Sequence, residues 1–301
     1  MDKPAYAKLG VAGLKERAEK ALSLLEECTV CPHECRVNRF EGEAGVCRSG
    51  RRAAVSSYGP HFGEEAPLVG KGGSGTIFFS RCNLRCIFCQ NFDISHEGGG
   101  REVTASELAQ IMLRLQERGC HNINLVSPSH FVPQILEALV LAFERGLRLP
   151  LVYNTGGYDA PGTIELLDGV VDIYMPDLKY GDDETGRELS GAPRYFTVAC
   201  AAVKMMHGQV GDLVVDDDGI AVRGLLVRHL VLPGGLAGTE KVVKFLAEEI
   251  SPHTFVNIMD QYYPAYRAFA HPVLKRRITA QEYSKAVKAA VEAGLKRIYT
   301  G

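Results

Sequence analysis

Six short apolar runs, most of them separated by helical patterns, limit what this chain can fold into. "TIFFS" (76–80), "NINLVS" (122–127), "LPLVYN" (149–154), "VDIYM" (171–175), "LLVRHLVL" (225–232) and "TFVNIM" (254–259) are rich in β-branched and aromatic residues. Such runs suit strands covered on both faces, as in a parallel sheet with helices packed over it. Thr104 and Glu107 have capping-box spacing and precede Leu108, Ile111, Met112 and Leu115 at helical intervals. Thr279 and Glu282 repeat the device before Tyr283, Ala286, Val287, Ala290 and Val291, and "VPQILEALVLAFERG" supplies another helix after the second run. The pattern predicts an α/β fold, either an open doubly wound sheet or an incomplete barrel. In both, function collects at the C-terminal ends of the strands.

Polar or glycine-rich residues follow every run. Arg81 to Asn91 follow the first, Ser127 to His130 the second, Asn154 to Gly157 the third, Asp177 to Lys179 the fourth, Leu232 to Gly235 the fifth and Asp260 to Tyr262 the sixth. Any one of these is an ordinary turn, but six together describe a ring of loops around one site. The first loop, "RCNLRCIFCQN", holds Cys82, Cys86 and Cys89 in a C-x3-C-x2-C run. Three thiolates are one short of a closed tetrahedral shell, so a fourth ligand comes from elsewhere or a position stays open for chemistry. Four more cysteines, Cys28, Cys31, Cys35 and Cys47, cluster upstream, whereas Cys120 and Cys200 stand alone and read as small buried hydrophobes. Clustering of this kind points to metal or redox chemistry in a reducing cytoplasm more than to a disulfide framework.

The remaining features are bland. Acids and bases are interspersed at a net charge of -2, and the one compact basic run, Lys275 to Arg277, reads as a solvated turn, so a large nucleic-acid footprint is not expected. The chain has no apolar run of membrane-spanning length and its first residues lack a secretory signal pattern, so membrane partners are not expected either. "GKGGSG" (70–75) matches a dinucleotide fingerprint in letters but precedes a strand instead of opening a helix, and it fails that test of context. Asp216 to Asp218 resemble a metal loop, yet Asp218 and Gly219 between "DLVV" and "IAVRGLLV" are more simply a hairpin turn. Met205, Met206, His207 and Gln209 belong to a core helix, and Tyr262, Tyr263 and Tyr266 to loop packing.

The cysteine run after a first strand, with Phe88 before its last cysteine and Gln90 and Asn91 after it, resembles the cluster loop of the radical S-adenosylmethionine (SAM) enzymes. The order "GSGTIFFSRCNLRCIFCQN", "NINLVSPSHF", "VYNTGGY", "MPDLKY", "VRHLVLPGG", "MDQYYP" is similar to uncharacterised members of that superfamily related to the pyruvate formate-lyase activating enzyme. The resemblance covers about nine-tenths of the chain, including "CTVCPHECRVNR". It implies an incomplete (β/α)6 TIM-like barrel over residues 71–301, preceded by an N-terminal helix and four-cysteine segment over residues 1–70. It also implies a 4Fe-4S cluster on Cys82, Cys86 and Cys89, with one iron left open for SAM. Reductive cleavage of SAM then gives a 5′-deoxyadenosyl radical that takes hydrogen from a substrate, with an electron donor such as flavodoxin or ferredoxin.

By the same resemblance the Phe88 backbone meets adenine, and Ser127, Ser129, Asn154, Asp177, Lys179, His229 and Gln261 are candidates for the methionine and ribose parts. Many relatives carry Gly-Gly-Glu after the second strand where this chain has Ser127, Pro128, Ser129 and His130, which leaves the contact to the methionine amine open. Four cysteines complete a shell, so Cys28, Cys31, Cys35 and Cys47 read as a closed second metal site, holding either zinc or an auxiliary iron-sulfur cluster. His33 lies among them as a further candidate ligand. The expected function is a radical SAM oxidoreductase, activase-like if its substrate is a glycine of a partner enzyme. Modification of RNA or of a small metabolite is the alternative, and a non-enzymatic zinc or iron-sulfur protein a third.

Overall fold

A computed structural model describes residues 3–300. Its strands are β1 (Ala53–His61), β2 (Ser74–Phe79), β3 (Arg101–Val103), β4 (Ile123–Val126), β5 (Leu151–Thr155), β6 (Ile173–Pro176), β7 (Val214–Val215), β8 (Ala221–Leu230), β9 (Phe255–Met259) and β10 (Arg297–Tyr299). They form one sheet in the order β10-β9-β8-β6-β5-β4-β2-β1-β3, with β7 paired to β8. Every neighbouring pair from β2 to β10 is parallel. β1 and β3 extend the β2 edge antiparallel. The α/β fold is thus an incomplete TIM-like barrel, and all six expected strands belong to its parallel part, with β10 as a seventh.

Local chemistry sets the elements. Thr104 and Thr279 each cap a helix, Ala105–Glu117 and Ala280–Glu292, through the reciprocal capping box their spacing predicts. The helix Val132–Glu144 is apolar nearly all round because it is covered twice, by the helix Ala105–Glu117 and by the N-terminal helix Ala5–Ser23. Tyr6 fixes that outer helix by donating to the Leu149 carbonyl at 2.8 Å and meeting Phe143 edge-on. Asp216 accepts the backbone N–H groups of Asp218 and Ile220, closing the β7–β8 hairpin expected at Gly219, so the three aspartates form a turn. Met206 is buried in the helix Tyr195–Val210, and Gln209 of that helix accepts from the Tyr174 hydroxyl, which makes it a core helix.

The division expected at residue 70 does not coincide with a break in the structure. β1 is hydrogen-bonded along most of β2, and the segment joining them enters the base of the barrel. There Leu68 packs with Val152, Ile173, Met175, Ala221 and Leu226 of the strands and with Leu213 just before β7. Just above them, Glu65 accepts two hydrogen bonds from Arg228, at 2.7 and 2.6 Å, and one from Asn257 at 2.7 Å. Glu64 meets the same guanidinium. The side chain of Glu65 is only 1% exposed, so it depends on Arg228 for its charge to be tolerable. Arg228→Met is therefore expected to cost about 3–5 kcal/mol, read as a lowered urea midpoint. The double variant Arg228→Met/Glu65→Met should recover a large part of that loss, and equal losses in the two would contradict this account.

Candidate active site

The C-terminal ends of the parallel strands open into a cavity of about 450 Å³. Cys82, Cys86 and Cys89 line it together with Ser127, Asn154, Asp177, Lys179 and Gln261. That volume is in the range of small-molecule and cofactor sites. Parallel geometry brings these residues together: each sits at or just past the end of a strand or on the loop that follows, and Ser127 turns out of β4 with a left-handed φ of 57° while its N–H donates to the Asn154 carbonyl.

Each sulfur of the run has an N–H or hydroxyl group beside it. The Leu84 N–H points at Cys82 Sγ at 3.4 Å, the Ser190 hydroxyl at Cys86 Sγ at 2.9 Å, and Ser95 Oγ lies 3.0 Å from Cys89 Sγ. Burial pushes the Cys82 thiol up to about 12, with the neighbouring Cys86 and Cys89 adding to it, and pushes Cys86 up to about 11. Ligation by a metal or cluster must therefore displace these protons. Three sulfurs on one wall, each with a donor ready for a thiolate, fit a cluster with an open position. Phe88 is buried edge-on against Tyr180 and Tyr262, so its ring anchors the loop while its backbone stays in the turn between Cys86 and Cys89.

Asp177 and Lys179 form an ion pair in the same cavity, with Lys179 close to Cys82 and Cys86. Burial alone would lower the ammonium, but the Asp177 carboxylate outweighs it and holds Lys179 above its ordinary range, so it stays charged. The loop that presents them is packed without slack. Tyr195 Oη accepts from the Lys179 N–H at 3.0 Å and donates to the Gly156 carbonyl at 2.8 Å. Gly157 has a φ of +78°, and a β-carbon there would stand 2.1 Å from the Asp177 carbonyl oxygen.

Two expected ligands of the site are corrected. Ser129 is 2% exposed and bonds to Thr155 Oγ1 at 2.9 Å, part of a buried group with Asp159 and Tyr153, so it supports β5 and does not line the cavity. His229 is fully buried beneath the wall, bonded to the Leu178 carbonyl at 2.6 Å and to Thr239 Oγ1 at 2.8 Å. His130 is buried as well, against the Ser80 carbonyl. His61, Glu64 and Arg228 were not anticipated, yet all three line the cavity floor. The arginine inside "LLVRHLVL" was the available signal, because a charge in a doubly covered strand needs an interior partner. Glu64 and His61 gave none.

Cys28, Cys31, Cys35 and Cys47 surround a second, much smaller cavity. The Val46 N–H donates to Cys35 Sγ at 3.4 Å, and Gly45 permits this approach, since a β-carbon there would lie 2.6 Å from that sulfur. Among the described residues no three His, Cys, Asp or Glu side chains converge closely enough to hold one metal ion, so the four thiols line this cavity without closing a shell. His33, the further candidate ligand, does not line this cavity: its Nε2 is 2.7 Å from the Asn83 carbonyl and its ring meets Tyr158 edge-on. No helix among the described residues is long and apolar enough to cross a membrane.

Residues 76–216 match the family model of the radical SAM superfamily. An uncharacterised protein of Methanocaldococcus jannaschii is 34% identical over 98% of this chain and 82% of its own length. The pyruvate formate-lyase-activating enzyme of Clostridium pasteurianum is 31% identical over 44% of this chain, which spans 56% of that enzyme, and the Escherichia coli K12 pyruvate formate-lyase 1-activating enzyme is 28% identical over 62% of this chain and 78% of its own. A radical SAM methyltransferase from Sphaerobacter thermophilus shares the fold, with a TM-score of 0.50 at 17% identity over 75% of this chain and 65% of that one. The chain belongs to the radical SAM superfamily and is related to the pyruvate formate-lyase activating enzymes within it. The superfamily implies a 4Fe-4S cluster and SAM, which the Cys82, Cys86 and Cys89 wall fits.

Two outcomes follow from the site's packing. Gly157→Ala must displace the Asp177 carbonyl and is expected to lower the unfolding midpoint and weaken SAM binding together; wild-type values for both would refute the packing described. Burial also lowers His229 to about 4 from an ordinary value near 6.5. The unfolded chain then takes up a proton between those limits that the folded protein refuses. Wild type should lose stability relative to His229→Gln as pH falls from about 6.5 to 4, by up to about 1.4 kcal/mol per pH unit, with no difference in slope above 7. Urea titrations of the metal-free proteins at several pH values measure this.

Proposed function

We propose that this protein is an activase-like radical SAM enzyme whose cavity binds SAM beside a cluster on Cys82, Cys86 and Cys89 and delivers a radical to a glycine of a partner protein. The observation that carries the reading is the meeting of the three cysteines with the Asp177–Lys179 pair, Asn154 and Ser127 in one cavity at the strand ends. When bound, the cluster and SAM supply a carbon radical able to take a hydrogen atom from an unactivated C–H bond. The chain's own residues position and shield. Lys179 offers a buried cation to the methionine carboxylate, Asp177 and Asn154 offer acceptors for the ribose hydroxyls or the amine, and the Phe88 turn holds the loop against adenine. Gln90 donates to the Gln261 carbonyl at 3.2 Å, tying the cluster loop to the loop after β9 at the mouth. The relatives named as pyruvate formate-lyase activating enzymes support a protein glycine as the target. An electron donor of the flavodoxin or ferredoxin kind completes the reaction. Cys28, Cys31, Cys35 and Cys47 are proposed to hold a second metal, as zinc or as an iron-sulfur cluster.

Anaerobically reconstituted wild type is expected to form 5′-deoxyadenosine from SAM with a strong reductant, and the Cys82→Ala/Cys86→Ala/Cys89→Ala variant to fall to background. Lys179→Met should raise the dissociation constant for SAM about 10- to 100-fold, the loss of one charge-assisted contact. With a candidate glycyl radical partner, a doublet in electron paramagnetic resonance (EPR) confirms the activase reading. Turnover of SAM without a doublet across such partners, together with salt-labile cellular RNA on the purified protein, favours RNA as substrate instead.

A further inference from the structure

The cluster loop is held between the two cysteine groups. Along residues 81 to 86, Cys82, Leu84 and Cys86 face the cavity. The residues between them face the four-cysteine segment. Arg81 Nη1 donates to the Arg48 carbonyl, the Asn83 carbonyl faces His33 Nε2 at 2.7 Å, and Arg85 Nη2 donates to the Val46 carbonyl. Val46 and Arg48 are the two neighbours of Cys47, and His33 lies between Cys31 and Cys35. Arg85 reaches both ways, since its Nη1 also approaches the Ser95 carbonyl at 3.5 Å, and Ser95 Oγ lies 3.0 Å from Cys89 Sγ. The segment in turn is fixed to the barrel. Arg39, 1% exposed, donates to the His130 carbonyl at 2.8 Å and to the Gly50 carbonyl, and Thr163 donates to the Val30 carbonyl at 2.7 Å. Arg48, Arg81 and Arg85 have no carboxylate within ion-pair distance among the described residues, so their donors go to these carbonyls or to solvent.

We infer that the four-cysteine segment is the outer wall of the cluster loop, and that Arg85 is the positioning residue through which metal occupancy at Cys28, Cys31, Cys35 and Cys47 fixes the placement of Cys82, Cys86 and Cys89. This rests on reading both cysteine groups as metal sites. A metal drawn into the first group restrains Cys47 and so the carbonyls on either side of it. Those carbonyls orient Arg81 and Arg85, and with them the backbone that alternates between the arginines and the cluster cysteines. Without that restraint the segment has a small core of Leu25, Cys28 and Val30, and the loop loses the rigid face it lies on.

The test uses Arg85→Met, Arg85→Lys and Cys28→Ser/Cys31→Ser in the full chain, each checked for folding by circular dichroism. In cluster-loaded protein the readouts are iron and sulfide per chain and the EPR change on adding SAM. Arg85→Met is expected to keep the metal of the first group yet lose the SAM-induced change, Cys28→Ser/Cys31→Ser to lose both, and Arg85→Lys to recover part. In cluster-free protein, alkylation of Cys82 and Cys89 by iodoacetamide, followed by peptide mass spectrometry, should quicken about fivefold or more in Arg85→Met and Cys28→Ser/Cys31→Ser as the loop opens locally. Wild-type EPR response and wild-type alkylation rates in both variants would overturn the inference. If wild type itself takes up no cluster, the functional reading falls, and the alkylation rates still decide the coupling.

Discussion

Parallel strands all end on one side of a sheet, and the contents of the cavity follow from that constraint. A side chain just past the end of β2 can meet one just past the end of β6 because the barrel's curvature brings the two strands' C-terminal ends together around one opening. Cys86 and Lys179 lie close enough for each to influence the other's charge although 93 positions separate them in the chain (179 minus 86). At the edge, β1 runs the other way, and β3, antiparallel to β1, again runs with the parallel strands; both contribute structure there. The connection from β1 to β2 then fills the base of the barrel with Leu68 and Glu65, so the cavity has a floor and the strands above it have something to curve around.

Charge is handled differently at the floor and at the walls. At the floor, Glu65 is satisfied twice by Arg228 and once by Asn257, a closed arrangement whose value lies in avoiding an unpaired buried ion. On the wall, the Asp177–Lys179 pair keeps its ammonium charged against burial while still bordering the cavity, which suits it to receive a zwitterionic ligand. Burial keeps the Cys82 and Cys86 thiols protonated until something cationic arrives. A cavity of this kind stores its chemistry in neutral sulfur and releases it on assembly with a cluster.

The two cysteine groups belong to one mechanical unit. His33 and the carbonyls beside Cys47 meet the residues that alternate with the cluster cysteines, so the spacing C-x3-C serves two faces: cysteines inward, Arg81, Asn83 and Arg85 outward. The N-terminal segment is accordingly less a separate domain than a cover for one loop, fastened to the barrel by Arg39 and Thr163. The same covering explains why the helix Val132–Glu144 has no polar face, since the N-terminal helix lies over it.

Local patterns in the sequence determined six of the seven parallel strands, both capping boxes, the β7–β8 hairpin and the cysteine loop at a strand end, because hydrogen bonding, side-chain periodicity and turn chemistry act over a few residues. The short edges β3 and β10 and the polar β1 were not legible, since three-residue strands and "AAVSSYGPH" carry no burial periodicity of their own. Among the site candidates, Ser127, Asn154, Asp177, Lys179 and Gln261 line the cavity as their strand-end positions suggested. Ser129 and His229 do not, because a position near a strand end fixes height along the barrel but not which way the side chain points. Tertiary structure alone decided the inward turn of Glu64 and His61, the burial of Glu65 against Arg228, and the contact of His33 with Asn83, 50 positions away. Each of those depends on which segments pack together, a choice made by the whole buried core and by the cost of leaving a charge or carbonyl unpaired inside it.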